Sequence, residues 1–211
     1  MKEVDLSKWE RREIYEYMSK LSFPFYSVTF RLDVTELYEY THERGISFYY
    51  SLIYLVTEAL NQIPEFRMTI VGGKPYELER RSPSFCDLKK GSEAFRIVDV
   101  PLKDQTLEEF CKEAKEISAH QTSLFASDPA NEKNEGWIFF SCLPWVDLTG
   151  LTNERDLDPD DSSPRIAWGK YVQEGEKKIL GFGVEANHRL VDGIHIGRLA
   201  EKISEEIRNL K

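Results

Sequence analysis

The sequence predicts an α/β fold, in a single domain spanning residues 1–211. Three observations carry this expectation. Apolar residues recur at helical spacing in some segments and alternate as in strands in others. The two kinds of segment interleave along the chain. No repeat, linker or low-complexity tract divides them. With 41% hydrophobic and 31% charged content over 211 residues, the chain can bury a full core as one large domain or two small ones.

Residues 5–20 have helical spacing, and "FPFYSVTFRLDVT" after them alternates like a strand. "VTELYEYTHERG" reads as a helix from a Thr cap to Gly45, and "SFYYSLIYLVTEALNQIP" as a second from a Ser cap to a Pro stop. The second is apolar nearly all round, which predicts burial. "FRMTIVGGKPYELE" has a Gly-Gly turn between strand-like runs and reads as a hairpin, and "EAFRIVDVP" as another strand. "QTLEEFCKEAKEISAHQTSLF" is an amphipathic helix, followed by the polar loop "ASDPANEKNEG" and by the strand "WIFFSCLPW", which stops at Pro144. "RDLDPDDSSP" is acidic and rich in turn formers, which predicts a solvated loop. "RIAWGKYVQEGEKKILGFGVEA" reads as two strands around a charged turn, and "IHIGRLAEKISEEIRNL" as the closing helix.

A formal net charge of -9 argues against nucleic acid as a partner, since phosphate-backbone binding draws on clustered Lys and Arg. The start "MKEVDLSKWERREIYEYM" lacks the apolar core of a signal peptide, and no later run is long enough to span a bilayer. A soluble, cytoplasmic protein with no membrane partner is the expectation. Cys86, Cys111 and Cys142 have neither the paired spacing of a zinc site nor the density of a disulfide scaffold, so they read as reduced, buried thiols.

The segment "VEANHRLVDGIHIGRLAEKI" sets His188 where a strand gives way to a loop, with Asp192 four residues on and Gly193 allowing a tight turn into the last helix. Histidine serves as a general base near neutral pH because its ordinary pKa is about 6.5. Taken alone, the pattern does not separate a base from a solvated histidine. No Gly-rich phosphate loop is present, so a nucleotide-bearing cosubstrate has no helix N-terminal cradle of that type.

The neighbouring blocks add specificity. "WERRE" and "FYYSLIYLVTEALNQIPEFRM" toward the N-terminus, "FFSCLPW" in the middle, and "GKYVQEGEKKIL" before "NHRLVDG" stand in the order and spacing of one family. In these blocks the chain resembles chloramphenicol acetyltransferase, within the coenzyme A-dependent acyltransferase superfamily, from the first helix to the last. The resemblance implies a two-layer sandwich, a mixed β-sheet covered by helices, with the coenzyme A-dependent acyltransferase fold. It also implies a homotrimer with active sites between subunits.

By the same resemblance the reaction is transfer of an acetyl group from acetyl coenzyme A to the primary hydroxyl of chloramphenicol, with no metal and no covalent acyl-enzyme. His188 is implied as the general base and Ser141 as the hydroxyl stabilising the tetrahedral intermediate. Asp192 and Arg11 are implied as an ion pair supporting the site, with the tautomer of His188 set by its own backbone carbonyl. Trp145, Lys170 and Tyr171 match positions near the family's coenzyme tunnel. Tyr17, Met18, Phe95, Ile97 and Ala167 match positions of its acceptor pocket. His195 receives no assigned chemistry.

The sequence departs from the family at three places. Asn187, Val191 and Ala167 stand where the family usually has His, Cys and Thr. Loss of the Thr hydroxyl bears on how an acceptor is hydrogen-bonded. "NHRLVDG" is also similar to the matching segment of dihydrolipoamide acyltransferase cores. Two alternatives therefore stand beside the drug acetyltransferase: an acyltransferase of the same fold with another hydroxyl acceptor, and a catalytically inactive binding protein.

Overall fold

A computed structural model describes residues 1–88, 91–125, 136–155 and 157–210. The polar loop expected at "ASDPANEKNEG" lies outside the described residues except for its last glycine. Strand β1 (Lys2–Glu3) pairs with β4 (Lys74–Glu77), which forms the Gly-Gly hairpin with β3 (Met68–Val71). These three make a small separate sheet. The larger sheet holds β2 (Phe25–Asp33), β10 (Lys177–Asn187), β8 (Arg165–Gly169), β7 (Trp137–Leu143), β5 (Ser82–Leu88) and β6 (Phe95–Asp99) in that order. It is mixed: β8, β7 and β5 run parallel to one another, while β2, β10 and β6 pair antiparallel with their neighbours. The short β9 (Val172–Glu174) forms a hairpin with β10, so the expected pair of late strands is three.

The helices α2 (Thr35–Arg44), α3 (Phe48–Asn61), α4 (Leu107–His120) and α5 (Gly193–Arg208) contact one another and the sheet. The centre is α3, whose Leu52, Ile53, Leu55, Val56, Ala59 and Leu60 are all buried. The Ser47 hydroxyl accepts a bond from the Tyr50 N–H at its start, as the sequence implies. Thr106 and Glu109 form a reciprocal capping box on α4. In α2 the cap differs from the expected Thr: Val34 occupies that position, and Thr35 bonds instead to the carboxylate of Asp33. Gly45 ends this helix in the left-handed region, φ 63°, where a side chain would be strained.

Three expectations need correction. The first helix, α1, covers only Arg12–Met18, because Asp5 captures Ser7 in a local turn and residues 2–3 join the small sheet. Strand β5 escapes the sequence patterns, since Pro83, Ser84 and Cys86 break any apolar alternation. Third, the acidic segment is not simply solvated. Asp161 pairs with Arg155 and Arg165, Asp160 with Arg189, and the buried Ser162 hydroxyl bonds to Thr69 and to the Ile70 N–H.

This anchoring belongs to a longer stretch, residues 144–155 and 157–164, that crosses the sheet face away from the helices. On β10 the even-numbered Phe182 stacks on Trp168, which in turn packs on Tyr49 of α3. Odd-numbered residues meet the crossing chain: Glu185 accepts bonds from Arg155, Ser27 and the Asn153 N–H. At Gly181 the backbone of Leu148 comes so close that an added Cβ would lie 1.7 Å from its carbonyl oxygen. Gly181→Ala must therefore displace backbone, and should lower stability by about 3 kcal/mol. A urea midpoint equal to that of the unsubstituted protein would refute this packing.

Arg81 is the other element that sequence patterns do not reveal. Fully buried, it donates to the carbonyls of Phe66, Met68, Trp137 and Ser162, tying the small sheet to the large one and to the crossing segment. No helix among the described residues is long and apolar enough to cross a membrane.

Candidate active site

His188 follows the last residue of β10, and its N–H donates to the Pro24 carbonyl at 2.7 Å, which fixes the loop against the start of β2. Asn187 holds the same loop from the other side. Its amide donates to the carbonyls of Pro159 and Asp161, and its Oδ1 accepts from the Arg189 N–H. The departure from the family's usual first histidine thus serves as a clamp, with two bonds to the acidic segment and a third within the His188 loop. Val191, the second departure, is buried in the core.

Asp192 precedes α5 and its carboxylate is shared. Oδ2 pairs with Nη1 of Arg11, which stands just before α1, and Oδ1 lies 3.3 Å from Nε2 of His188. The Arg11 hydrogen bond and charge hold the Asp192 carboxyl below its ordinary value against the opposing effect of burial. No bond from the His188 ring to its own carbonyl occurs among the described residues; the carboxylate is the ring's neighbour instead. Gly193 contributes less than its sequence context suggests, because its φ is not positive and open space surrounds the position of an added Cβ.

Tyr26, which sequence reasoning did not single out, packs its ring 4.3 Å from that of His188. Burial, reinforced by the Asp192 charge, pushes its hydroxyl up to about 12. The only advance signal is its place two residues into the strand that pairs with the end of β10. Three buried polar atoms here, Tyr26 Oη and the Nε and Nη2 of Arg11, have no hydrogen-bond partner among the described residues.

Ser141 lies elsewhere. Thr29, Gly183, Ala167 and Ser141 occupy one row across β2, β10, β8 and β7. Cys86 and Ile97 continue the row on β5 and β6. Burial pushes the Cys86 thiol above its ordinary value, and the Ser141 hydroxyl beside it works in the opposite direction. From Gly183 to His188 the chain advances five residues at about 3.3 Å each, and Ser141 is two strands away at about 4.8 Å each, so their Cα atoms are roughly 15–20 Å apart. That exceeds the combined reach of the two side chains. Within one chain, His188 and Ser141 do not meet.

The remaining candidates divide between these two regions. Tyr17, exposed, and Met18, half-buried, lie on α1, which is tied to the His188 loop by Arg11 and by the Arg189 bond to Tyr15 Oη at 2.7 Å. Ile97 and the buried Ala167 share the row of Ser141, and the exposed Phe95 lies on the same face of β6, 6.4 Å from Phe125. Trp145 is 70% exposed just beyond β7, so it does not fill core. Lys170 is exposed at the end of β8, its N–H donating to the Val146 carbonyl. Tyr171 packs against Tyr38 and Phe48. Cys111 is buried and Cys86 and Cys142 are half-buried, all three as free thiols.

Comparison with known proteins decides the family. The family model described as chloramphenicol acetyltransferase matches residues 1–204. The chain belongs to the chloramphenicol acetyltransferase family. It is 32% identical over 201 residues to chloramphenicol acetyltransferase 2 of Escherichia coli, covering 92% of this chain and 91% of that protein. It is also 28% identical over 202 residues to chloramphenicol acetyltransferase of Proteus mirabilis, covering 96% and 92%. A solved chloramphenicol acetyltransferase superposes with a TM-score of 0.87 at 22% identity, over 99% of this chain and 98% of that one. The fold extends to a probable dihydrolipoamide acetyltransferase from Listeria monocytogenes, with a TM-score of 0.66 at 14% identity, over 100% and 96%. As a chloramphenicol acetyltransferase family member the chain is an acyltransferase, and the chemistry of its family is acetyl transfer.

Proposed function

We propose that this protein transfers an acetyl group from acetyl coenzyme A to the primary hydroxyl of chloramphenicol. The observation that carries the reading is the chain Arg11–Asp192–His188 at the head of α5, in a sequence matching this family over residues 1–204. His188 accepts the proton of the attacking hydroxyl as its oxygen adds to the thioester carbonyl. Ser141 donates a hydrogen bond to the oxyanion that forms. On collapse the carbon–sulfur bond breaks, and the imidazolium returns its proton to the departing thiolate. Asp192 keeps its charge throughout and steadies the imidazolium, while Arg11 fixes the carboxylate.

His188 and Ser141 are then contributed by different copies. Support comes from their separation along the sheet and from the three unpartnered polar atoms beside His188, which suit a half-built site. Exposed apolar side chains flank both regions: Ile14, Tyr17, Leu21 and Phe23 on one side, Leu88, Phe95, Leu124 and Phe125 on the other. Two different surfaces in contact make a head-to-tail interface, which closes into a ring, here a homotrimer. Trp145, Lys170 and Tyr171 suit the acetyl donor, with an exposed ring and a cation available to adenine and phosphate. Tyr17, Met18, Tyr26, Phe95 and Ile97 suit an aromatic acceptor. A cytoplasmic location and an antibiotic-resistance role go with this reading.

One observation favours a second acceptor. Ala167 sits directly beside Ser141 and brings no hydroxyl to the pocket. A thiol-release assay with acetyl coenzyme A, run with chloramphenicol and a panel of alcohols, separates the readings. Release with chloramphenicol is expected. Release only with another alcohol would replace the acceptor and keep the chemistry, and no release with any, together with no binding of the coenzyme, would sink the enzyme reading.

A further inference from the structure

His195 lies in the first turn of α5, buried, and is not used by the reaction described above. Its Nδ1 accepts the N–H of Asp192 at 2.8 Å. This is the bond that a Glu or Gln makes at the same position of a capping box, reaching back to the residue that precedes the helix. A ring that accepts at Nδ1 and is neutral carries its proton on Nε2. That nitrogen lies 3.5 Å from Oε1 of Glu65, whose carboxylate comes from the 3-10 turn Pro64–Arg67. Asp192 is thus held at two points. Its backbone is bound by His195, and its side chain is divided between Arg11 and His188.

We infer that His195 is a positioning residue for the acyl-transfer site: its Nε2–H tautomer holds the Asp192 backbone and thereby aims the carboxylate shared by Arg11 and His188. The inference rests on the proposed reaction for its catalytic consequence, but not for its geometry. Protonating Nδ1 would set a donor against the Asp192 N–H, and the cap would be lost. Facing the ring are Glu65 from the 3-10 turn, Arg11 from before α1, and Asp192 and Arg198, three residues to either side of His195. Burial lowers its pKa below the ordinary 6.5, with Glu65 opposing and Arg11 assisting.

The sign follows from linkage. A histidine whose pKa is lowered on folding binds fewer protons folded than unfolded. Its contribution to stability is complete well above pH 6.5 and is lost as pH falls from 6.5 through the lowered folded value. Activity should carry the same ionisation.

Two substitutions test the inference in the full-length enzyme. His195→Ala should lower kcat about 10- to 100-fold with KM for either substrate little changed, because the carboxylate is misaimed and binding surfaces are not. His195→Gln restores an acceptor for the Asp192 N–H without a titrating ring. It should retain kcat within about twofold near neutral pH and lose one proton from the acid limb of the kcat profile. Nitrogen-15 NMR of the unsubstituted protein should find the His195 ring as the Nε2–H tautomer.

An Nδ1–H tautomer would overturn the inference, as would a His195→Ala enzyme with unchanged kcat and pH profile. So would a glutamine variant as impaired as the alanine one. If the alanine variant does not fold, the glutamine variant and the ring tautomer decide. Full activity in His188→Ala beside an Nε2–H His195 would instead mark failure of the acyl-transfer reading and leave the cap intact.

Discussion

Replacing His188 with alanine should lower acetyl-transfer turnover by about three to four orders of magnitude, the upper range for loss of a positioned general base. An alcohol is a poor nucleophile while it keeps its proton, and no other base stands ready. Asp192, the nearest carboxylate, has its two oxygens committed to Arg11 and to the histidine, and the ion pair with Arg11 lowers its proton affinity further. The Tyr26 hydroxyl is pushed up to about 12, far too high to act as a base near neutrality. The loss should fall on kcat. It should occur without unfolding, because the side chain is 35% exposed and the loop is held by the His188 N–H and by Asn187. Thiol release measured at saturating substrates, alongside circular dichroism, gives the answer. A loss smaller than about tenfold would remove His188 from the role of base.

Ser141→Ala should cost about two to three orders of magnitude, the usual consequence of removing one oxyanion donor. The substitution is nearly isosteric, and the adjacent Ala167 shows that a methyl group fits this row. The more telling measurement mixes the two variants. His188→Ala and Ser141→Ala chains, each close to inactive, should regain activity when unfolded together and refolded. About a quarter of head-to-tail interfaces then join an intact histidine from one parent to an intact serine from the other. Separately refolded and unmixed variants should stay inactive. If mixing restores nothing while each variant still assembles, the two side chains belong to one chain's site and the register argument fails.

What the sequence discloses depends on how local the physics is. Helices α3 and α4 are legible because Ser47 and Thr106 cap them within a few residues and their apolar stripes are long. Strand β10 is legible as a strand, but the reason it is buried on both faces is not. The covering chain approaches through Gly181 from Leu148, and only the "GFG" spacing hints that something must come close. Strand β5 is not legible because Pro83, Ser84 and Cys86 break its alternation, and its strand state comes from pairing with β7 and β6, a tertiary effect that no short window contains.

The acidic segment misleads for a related reason. Composition records its carboxylates and Arg155 but not which carboxylates an arginine reaches, and Arg155 from within, with Arg165 and Arg189 from outside, turns a seemingly solvated loop into a clamp on the His188 turn. The contact between Arg11 and Asp192 spans 181 positions and is invisible to periodicity. Only the resemblance implies it. His195 shows the reverse case: its spacing from Asp192 is that of a capping box, yet a histidine in place of the usual Glu or Gln hides the pattern.

The distance between His188 and Ser141 along the sheet also has a kinetic consequence. On the proposed reading, which sets the two groups on separate chains, specific activity is a property of concentration as well as of sequence. Diluting the enzyme below the dissociation constant of its assembly should extinguish turnover without unfolding a single molecule, and recovery on reconcentration should follow a rate of higher than first order in protein. A newly made chain is then chemically silent until it meets others of its kind.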